Sequence, residues 1–227
     1  MIGPCVFDAY GTLFDVDAAA RLAAERASGA DWVSQWPRLS ADWRRKQLEY
    51  SWLRTVAGAH ADFWQVTQDA LDWALEANGL QDPGLRSDLL ALYRELPPYP
   101  DVLAVLDALR AGGTELAILS NGSRDMLADA VSSAGMGNMF DAILSVDDVG
   151  AFKPAPAVYG MVGAHFGCTA SEVLFVSANG WDICSGAAYG FRTIWLNRAG
   201  APMDRLHAVP DAQAQTLHDL LPLIERL

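Results

Sequence analysis

Four short apolar runs are each followed by side chains able to do ionic or nucleophilic chemistry. Asp8 follows Pro4-Cys5-Val6-Phe7, Ser120 and Asn121 close the run from Thr114, Lys153 lies just beyond Ala142–Val146, and Ser177, Asn179 and Asp182 close and follow the run from Val173. A carboxylate can act as nucleophile or base, an ammonium can hold it ionised, and hydroxyls and amides can orient both. Singly, each of these residues is more simply a helix cap or a turn residue, roles that Ser, Asn and Asp favour anyway. Four run ends equipped in the same way point instead to one shared cleft.

The elements that would build such a cleft are legible in the spacing of apolar residues. The runs 4–7, 114–120, 142–146, 173–177 and 191–196 show no strong alternation, as expected of strands buried on both faces of a parallel sheet. Helical patterns separate them: Val102, Val105, Leu106 and Leu109 share one face before Gly112-Gly113, and further helices are expected near 123–135, 156–167 and 182–190. This alternation predicts an α/β fold, a Rossmann-like doubly wound parallel sheet. Residues 16–97 break the rhythm. They hold six of the eight tryptophans and no convincing strand, and lines such as Leu48-Trp52-Val56 and Val66-Ala70-Leu71-Leu75 are helical. The expected organisation is an α/β core of residues 1–15 and 98–227, with residues 16–97 inserted after the first strand as a helical-bundle cap. An insertion at that point lies over the carboxyl ends of the strands, where ligands bind in such sheets.

Composition removes several classes. The 227 residues are 52% hydrophobic and 19% charged, with a formal net charge of −12. That excludes disorder and argues against nucleic acid as a partner, because nucleic-acid binders carry a basic excess. No apolar stretch approaches the roughly 18 residues of a membrane span, and the start has no basic n-region of a signal peptide, so a cytoplasmic protein is expected. Cys5, Cys168 and Cys184 are odd in number and share no C-x-x-C spacing, so they read as buried small apolar groups.

Asp8-Ala9-Tyr10-Gly11-Thr12-Leu13-Phe14-Asp15, Ser120-Asn121-Gly122, Phe152-Lys153-Pro154 and Phe175-Val176-Ser177-Ala178-Asn179-Gly180-Trp181-Asp182 resemble, in order, the four motifs of the haloacid dehalogenase-like superfamily. The segment from Trp43 to Arg54 is similar to the cap-helix signature of the L-2-haloacid dehalogenases. Two departures from the phosphatase members sharpen the resemblance. Tyr10 stands where phosphatases carry the Asp that protonates a departing alkoxide, a service that a weakly basic halide does not need. The fourth motif offers Ser177 and Asn179, with only Asp182 acidic, where phosphatases place a carboxylate pair for Mg²⁺. Neither a metal nor an organic cofactor is expected.

The resemblance implies hydrolytic dehalogenation of (S)-2-haloalkanoic acids to (R)-2-hydroxyalkanoic acids, with inversion and through an ester on Asp8. Lys153 would keep Asp8 ionised. Ser120 and the backbone amides near Ala9 and Tyr10 would bind the substrate carboxylate. Arg44 and Asn121 would cradle the halide, with Tyr10, Leu48, Phe63 and Trp181 as an apolar wall. Thr12, Tyr159, Ser177 and Asn179 would orient Asp8, Lys153 and the hydrolytic water, which Asp182 is placed to activate. Arg45 reads as a solvated partner of Glu49. Ala178 and Asp17 depart from residues frequent in relatives, with altered hydration or supporting contacts as the expected effect. The implied partners are a small haloalkanoate, its halide, and a second copy of the chain in a homodimer. A Mg²⁺-dependent phosphohydrolase of the same fold and a catalytically silent interaction protein are the alternatives.

Overall fold

A computed structural model describes residues 3–27, 30, 32–224 and 226. Six parallel strands form one sheet: β1 (Cys5–Phe7), β2 (Leu116–Ser120), β3 (Ala142–Ser145), β4 (Leu174–Ser177), β5 (Arg192–Leu196) and β6 (Ala212–Ala214), in the order β3-β2-β1-β4-β5-β6. β1, β2 and β4 are buried along their whole length, which is why their sequences run apolar without alternation. Phe7 lies opposite Ile118 on one side and Val176 on the other. That register sets Asp8 beside the carboxyl ends of β2 and β4. The chain leaves β1 toward β2 on one side, and later leaves β4 toward β5 on the other. The crevice between β1 and β4 is therefore the switch point at which doubly wound sheets bind ligands. β6 is a strand that the apolar pattern does not announce, since Ala212-Gln213-Ala214 has only small or polar side chains.

Between β1 and β2 run α1 (Ala18–Arg26), α2 (Trp36–Ala57), α3 (Phe63–Ala77), α4 (Pro83–Arg94) and α5 (Val102–Ala111). The sequence supplies their ends. Pro37 opens α2, whose last turn closes on Gly58 at a φ of 63°, while the Asp62 and Asp82 carboxylates accept the Gln65 and Gly84 amides at the starts of α3 and α4. α2 packs along α3, and α1 along α4. The apolar line of α3 is buried as its spacing predicts. On α2 the line Leu48-Trp52-Val56 is not the buried one. Val56 is 88% exposed, and the buried stripe is Leu39, Ser40, Trp43, Gln47 and Ser51. Three of those five residues are polar, so hydrophobicity alone hides the stripe.

After β2 come α6 (Arg124–Ser133), α7 (Pro156–Phe166), α8 (Gly180–Tyr189) and α9 (Leu220–Ile224). Val102, Val105, Leu106 and Leu109 of α5 are all buried. Among the described residues no helix is long and apolar enough to cross a membrane.

Candidate active site

The tight loop after β1 arranges the surroundings of Asp8. The Ala9 carbonyl accepts the amides of Thr12, Leu13 and Phe14, and Gly11, at a φ of 89°, donates to the Phe14 carbonyl. A side chain at Gly11 would be strained there. The loop folds Thr12 back so that its hydroxyl donates to Asp8 Oδ2 at 2.8 Å and accepts the Ala178 amide at 2.9 Å. Asn179 Nδ2 donates to the same Oδ2 at 2.9 Å, while Lys153 Nζ donates to Oδ1 at 3.1 Å. Oδ2 is thus held by two donors and Oδ1 by one ammonium, which leaves a lone pair on Oδ1. The amides of Ala9 and Tyr10 find no acceptor among the described residues although both residues are buried. A buried amide left unpaired is costly, and an incoming carboxylate oxygen would satisfy it.

Lys153 is 1% exposed and reaches a second carboxylate, Asp182 Oδ2, at 2.8 Å. Asp182 is completely buried and also accepts from Tyr159 OH at 2.8 Å and Ser177 Oγ at 3.1 Å. Burial alone would depress the Lys153 ammonium, but the charges of Asp182 and Asp8 outweigh it and hold its pKa above the ordinary lysine value. Burial raises the Asp182 carboxyl above the usual aspartate range, against the opposing pull of Lys153. Two carboxylates on one ammonium leave surplus negative charge in a dry site, so both groups hold protons more tightly. The backbone carries the same cluster: the Lys153 amide donates to Asn121 Oδ1 at 2.8 Å, and the Asn179 amide to Ser177 Oγ at 3.2 Å. Ser120 Oγ accepts the Gly122 amide at 3.0 Å. Gly122 cannot be larger, because a Cβ there would stand 2.7 Å from the Tyr10 ring.

Arg44 of α2 reaches down to this loop. Nη2 donates to the Tyr10 carbonyl at 3.2 Å and to Asn179 Oδ1 at 3.5 Å, and Nη1 to Gln47 Oε1 at 2.8 Å. The resemblance implies that Arg44 and Asn121 both face the halide. In the structure the Asn121 oxygen is taken by Lys153, and Arg44 bonds Asn179. The apolar wall is largely aromatic. Tyr10 stacks on Tyr93 with ring centroids 5.7 Å apart and lies 6.1 Å from Phe63, which in turn lies 5.8 Å from Phe152. Trp181 is half-buried and meets Trp52 edge-on at 5.4 Å, and Leu48 is half-buried. Arg45 does meet Glu49, at 3.6 Å, but lies nearer Asp42, at 2.9 Å, and over the Trp73 ring. Asp17 accepts from Ser40 of α2, a contact that ties the start of α1 to that helix.

The residues that sequence reasoning misses are Gln47, Thr67 and Tyr93, which meet beneath Arg44. Their signal is faint: a Gln three residues after Arg44 looks like any solvated helix residue. Among the described residues no group of three or more His, Cys, Asp or Glu side chains is placed to hold a metal ion. A cation does stand between Asp8 and Asp182, and it is the Lys153 ammonium.

A carboxylate with one free lone pair, buried against an ammonium and beside two unspent amides, is suited to attack a small anionic substrate and carry it covalently. Comparison with known proteins agrees with this arrangement. The family model of haloacid dehalogenase-like hydrolases matches residues 5–190. Over 227 residues the chain is 43% identical to (S)-2-haloacid dehalogenase 1 of Pseudomonas sp. (strain CBS-3), covering 100% of this chain and 98% of that one. It is 41% identical to (S)-2-haloacid dehalogenase 4A of Burkholderia cepacia, covering 98% and 94%. Among solved structures, the L-2-haloacid dehalogenase of Xanthobacter autotrophicus with chloropropionic acid covalently bound superposes with a TM-score of 0.87 at 39% identity, covering 99% of each chain. The chain therefore belongs to the L-2-haloacid dehalogenase family of the haloacid dehalogenase-like hydrolases.

Proposed function

We propose that the protein hydrolyses (S)-2-haloalkanoic acids to (R)-2-hydroxyalkanoic acids, with Asp8 as nucleophile and without a metal. The observation that carries this reading is the residue two places beyond Asp8. Tyr10 is buried in the aromatic wall, its hydroxyl has no hydrogen-bond partner among the described residues, and burial pushes its pKa well above the ordinary tyrosine value. A phenol so placed is a poor acid, and cleavage that must protonate an alkoxide at this position has no donor there. A halide leaves without one.

In the first half-reaction Asp8 Oδ1 attacks C2 from the face opposite the halogen. A C–O bond forms, the C–halogen bond breaks, and the halide takes the bonding pair. The substrate carboxylate is held by Ser120 and the free amides of Ala9 and Tyr10. The departing halide meets Arg44, Asn121 and the wall of Phe63 and Trp181, with Leu48 beside it. In the second half-reaction water attacks Cγ of the ester. The charge that develops falls on Oδ2, which Thr12 and Asn179 already hold at 2.8 and 2.9 Å, so the stabilising donors need not move. Lys153 lies on the ester oxygen, Oδ1, and can pass a proton to the departing alkoxide, recovering one from the attacking water, whose second proton goes to solvent as the Asp8 carboxylate is restored. Asp182 has its oxygens engaged by Lys153, Tyr159 and Ser177, which suits it to holding Lys153.

Residues 16–97 act as a cap over the core of residues 1–15 and 98–227, and exclude water while the ester forms. The working form is a cytoplasmic homodimer, and pairing would cover exposed apolar side chains such as Leu53 and Val56. The test is halide release from each enantiomer of 2-chloropropionate. Release from the S enantiomer is expected, and its absence would sink the reading.

A further inference from the structure

Beneath Arg44 lies a chain of hydrogen bonds whose direction is fixed. The single hydroxyl proton of Thr67 goes to the Phe63 carbonyl at 2.6 Å, so Thr67 Oγ1 can only accept from Gln47. Gln47 must then present its amide nitrogen to Thr67, which it does at 2.8 Å, and turn its oxygen toward Arg44. That oxygen accepts Arg44 Nη1 at 2.8 Å and Tyr93 OH at 3.1 Å, which uses both lone pairs. The assembly is sealed: Gln47 is 1% exposed, Thr67 0% and Tyr93 3%. The Trp43 indole N–H fixes the Thr67 carbonyl from the same side, at 2.9 Å.

The acceptors chosen for Arg44 are all neutral. Gln47 Oε1, the Tyr10 carbonyl and Asn179 Oδ1 carry no net charge, and no carboxylate stands at ion-pair distance from Arg44 among the described residues. Elsewhere the chain treats arginines differently: Arg21, Arg45, Arg54, Arg86 and Arg198 each pair with an aspartate. A guanidinium cannot shed its proton in a protein, so a neutral clamp fixes its place while leaving its charge uncompensated. A carboxylate at the same point would hold it as well and cancel its field.

We infer that Gln47 is a positioning residue, oriented by Thr67, that clamps Arg44 through a neutral acceptor so that its full positive charge faces the halide. The inference rests on the proposed dehalogenase reading. Its test compares the full-length protein with Gln47→Glu and Gln47→Met in two measurements, bromide binding by ⁸¹Br NMR line broadening and bromide release from (S)-2-bromopropionate. Gln47→Met loosens Arg44 but spares its charge, whereas Gln47→Glu retains the anchor and neutralises it. Bromide affinity and kcat are expected to fall in the order wild type, Gln47→Met, Gln47→Glu, with the last weakened about tenfold or more by loss of a charge contact. A Gln47→Glu protein that binds bromide as well as Gln47→Met, or better, would overturn the inference. So would a wild-type protein that binds no bromide. If Gln47→Glu does not fold, Thr67→Val releases the other end of Gln47, and unchanged bromide affinity and kcat in that variant would equally overturn it. Should the wild type bind bromide yet release none from the substrate, the dehalogenase reading fails while the clamp stands.

Discussion

Lys153 Nζ donates to Asp8 Oδ1 at 3.1 Å across 145 residues of chain, with both residues almost wholly buried. Nothing local holds the pair together. It exists because β1 lies between β2 and β4, and because Asn121 at the end of β2 pins the Lys153 backbone. The ammonium has two carboxylates for company, which decides how the site responds to substitution and to pH.

Lys153→Met is expected to abolish halide release and to cost on the order of 3–5 kcal/mol, because it leaves buried carboxylates facing each other without a counter-charge. The pH dependence follows from the raised pKa of Lys153. Its stabilisation is fully present below the ordinary lysine value near ~10.4 and fades as pH rises through the higher folded value. The gap in urea midpoint between wild type and variant should therefore close at strongly alkaline pH. Asp182 acts with the same sign at the acid end: its raised pKa adds stability below about 3.9 that is lost as pH climbs through its folded value. A variant as stable as wild type at pH 7 would show that the cluster is not the buried ion pair described.

Asp101 offers the opposite sign. Burial works against its ionisation, but two bonds from Arg198, at 2.8 and 2.9 Å, and the Leu217 amide hold its carboxyl below the ordinary range. Its contribution is present above about pH 3.9 and is lost as pH falls through the lower folded value. Asp101→Asn should lose roughly 1.5–3 kcal/mol at pH 7, the worth of hydrogen bonds to a charged group. The difference should vanish in acid. Thermal melts across pH 2–7 read this directly, and a gap that persists at the acid end would contradict it.

How much of this was legible beforehand depends on whether a residue works through its own chemistry or through another. Asp8 directly follows β1 and Asp182 lies in the first turn of α8 after β4, so parallel pairing sets them side by side, and the Asn121 contact brings in Lys153 from the segment after β3. The first five strands declare themselves as apolar runs, and β1, β2 and β4 are buried along their whole length. β6 does not, because Ala212 and Ala214 need little apolar bulk at a sheet edge. Gln47 was invisible for a different reason. Its place is set by a proton inventory running through Thr67 and Phe63 on another helix, and neither spacing nor hydrophobicity encodes that. The buried stripe of α2 escapes the hydrophobic pattern because it is partly polar.

Chelation separates the proposed metal-free reaction from a Mg²⁺-dependent one. In the proposed reaction the Lys153 ammonium, held between Asp8 and Asp182, supplies the positive charge. Halide release after exhaustive EDTA treatment should equal that before it, and added Mg²⁺ should not raise it. Loss of activity in chelator, restored by Mg²⁺, would refute the metal-free account.

Isotope transfer decides whether an ester forms on Asp8. With enzyme in excess over (S)-2-chloropropionate in ¹⁸O water, water attacks Cγ and the product keeps the oxygen that Asp8 contributed. Mass spectrometry of the peptide containing Asp8 should then show one ¹⁸O in its carboxylate, and the first-turnover 2-hydroxypropionate should be unlabelled. Label in the product with none on Asp8 would mean that water attacks C2 itself, and the covalent account would be wrong.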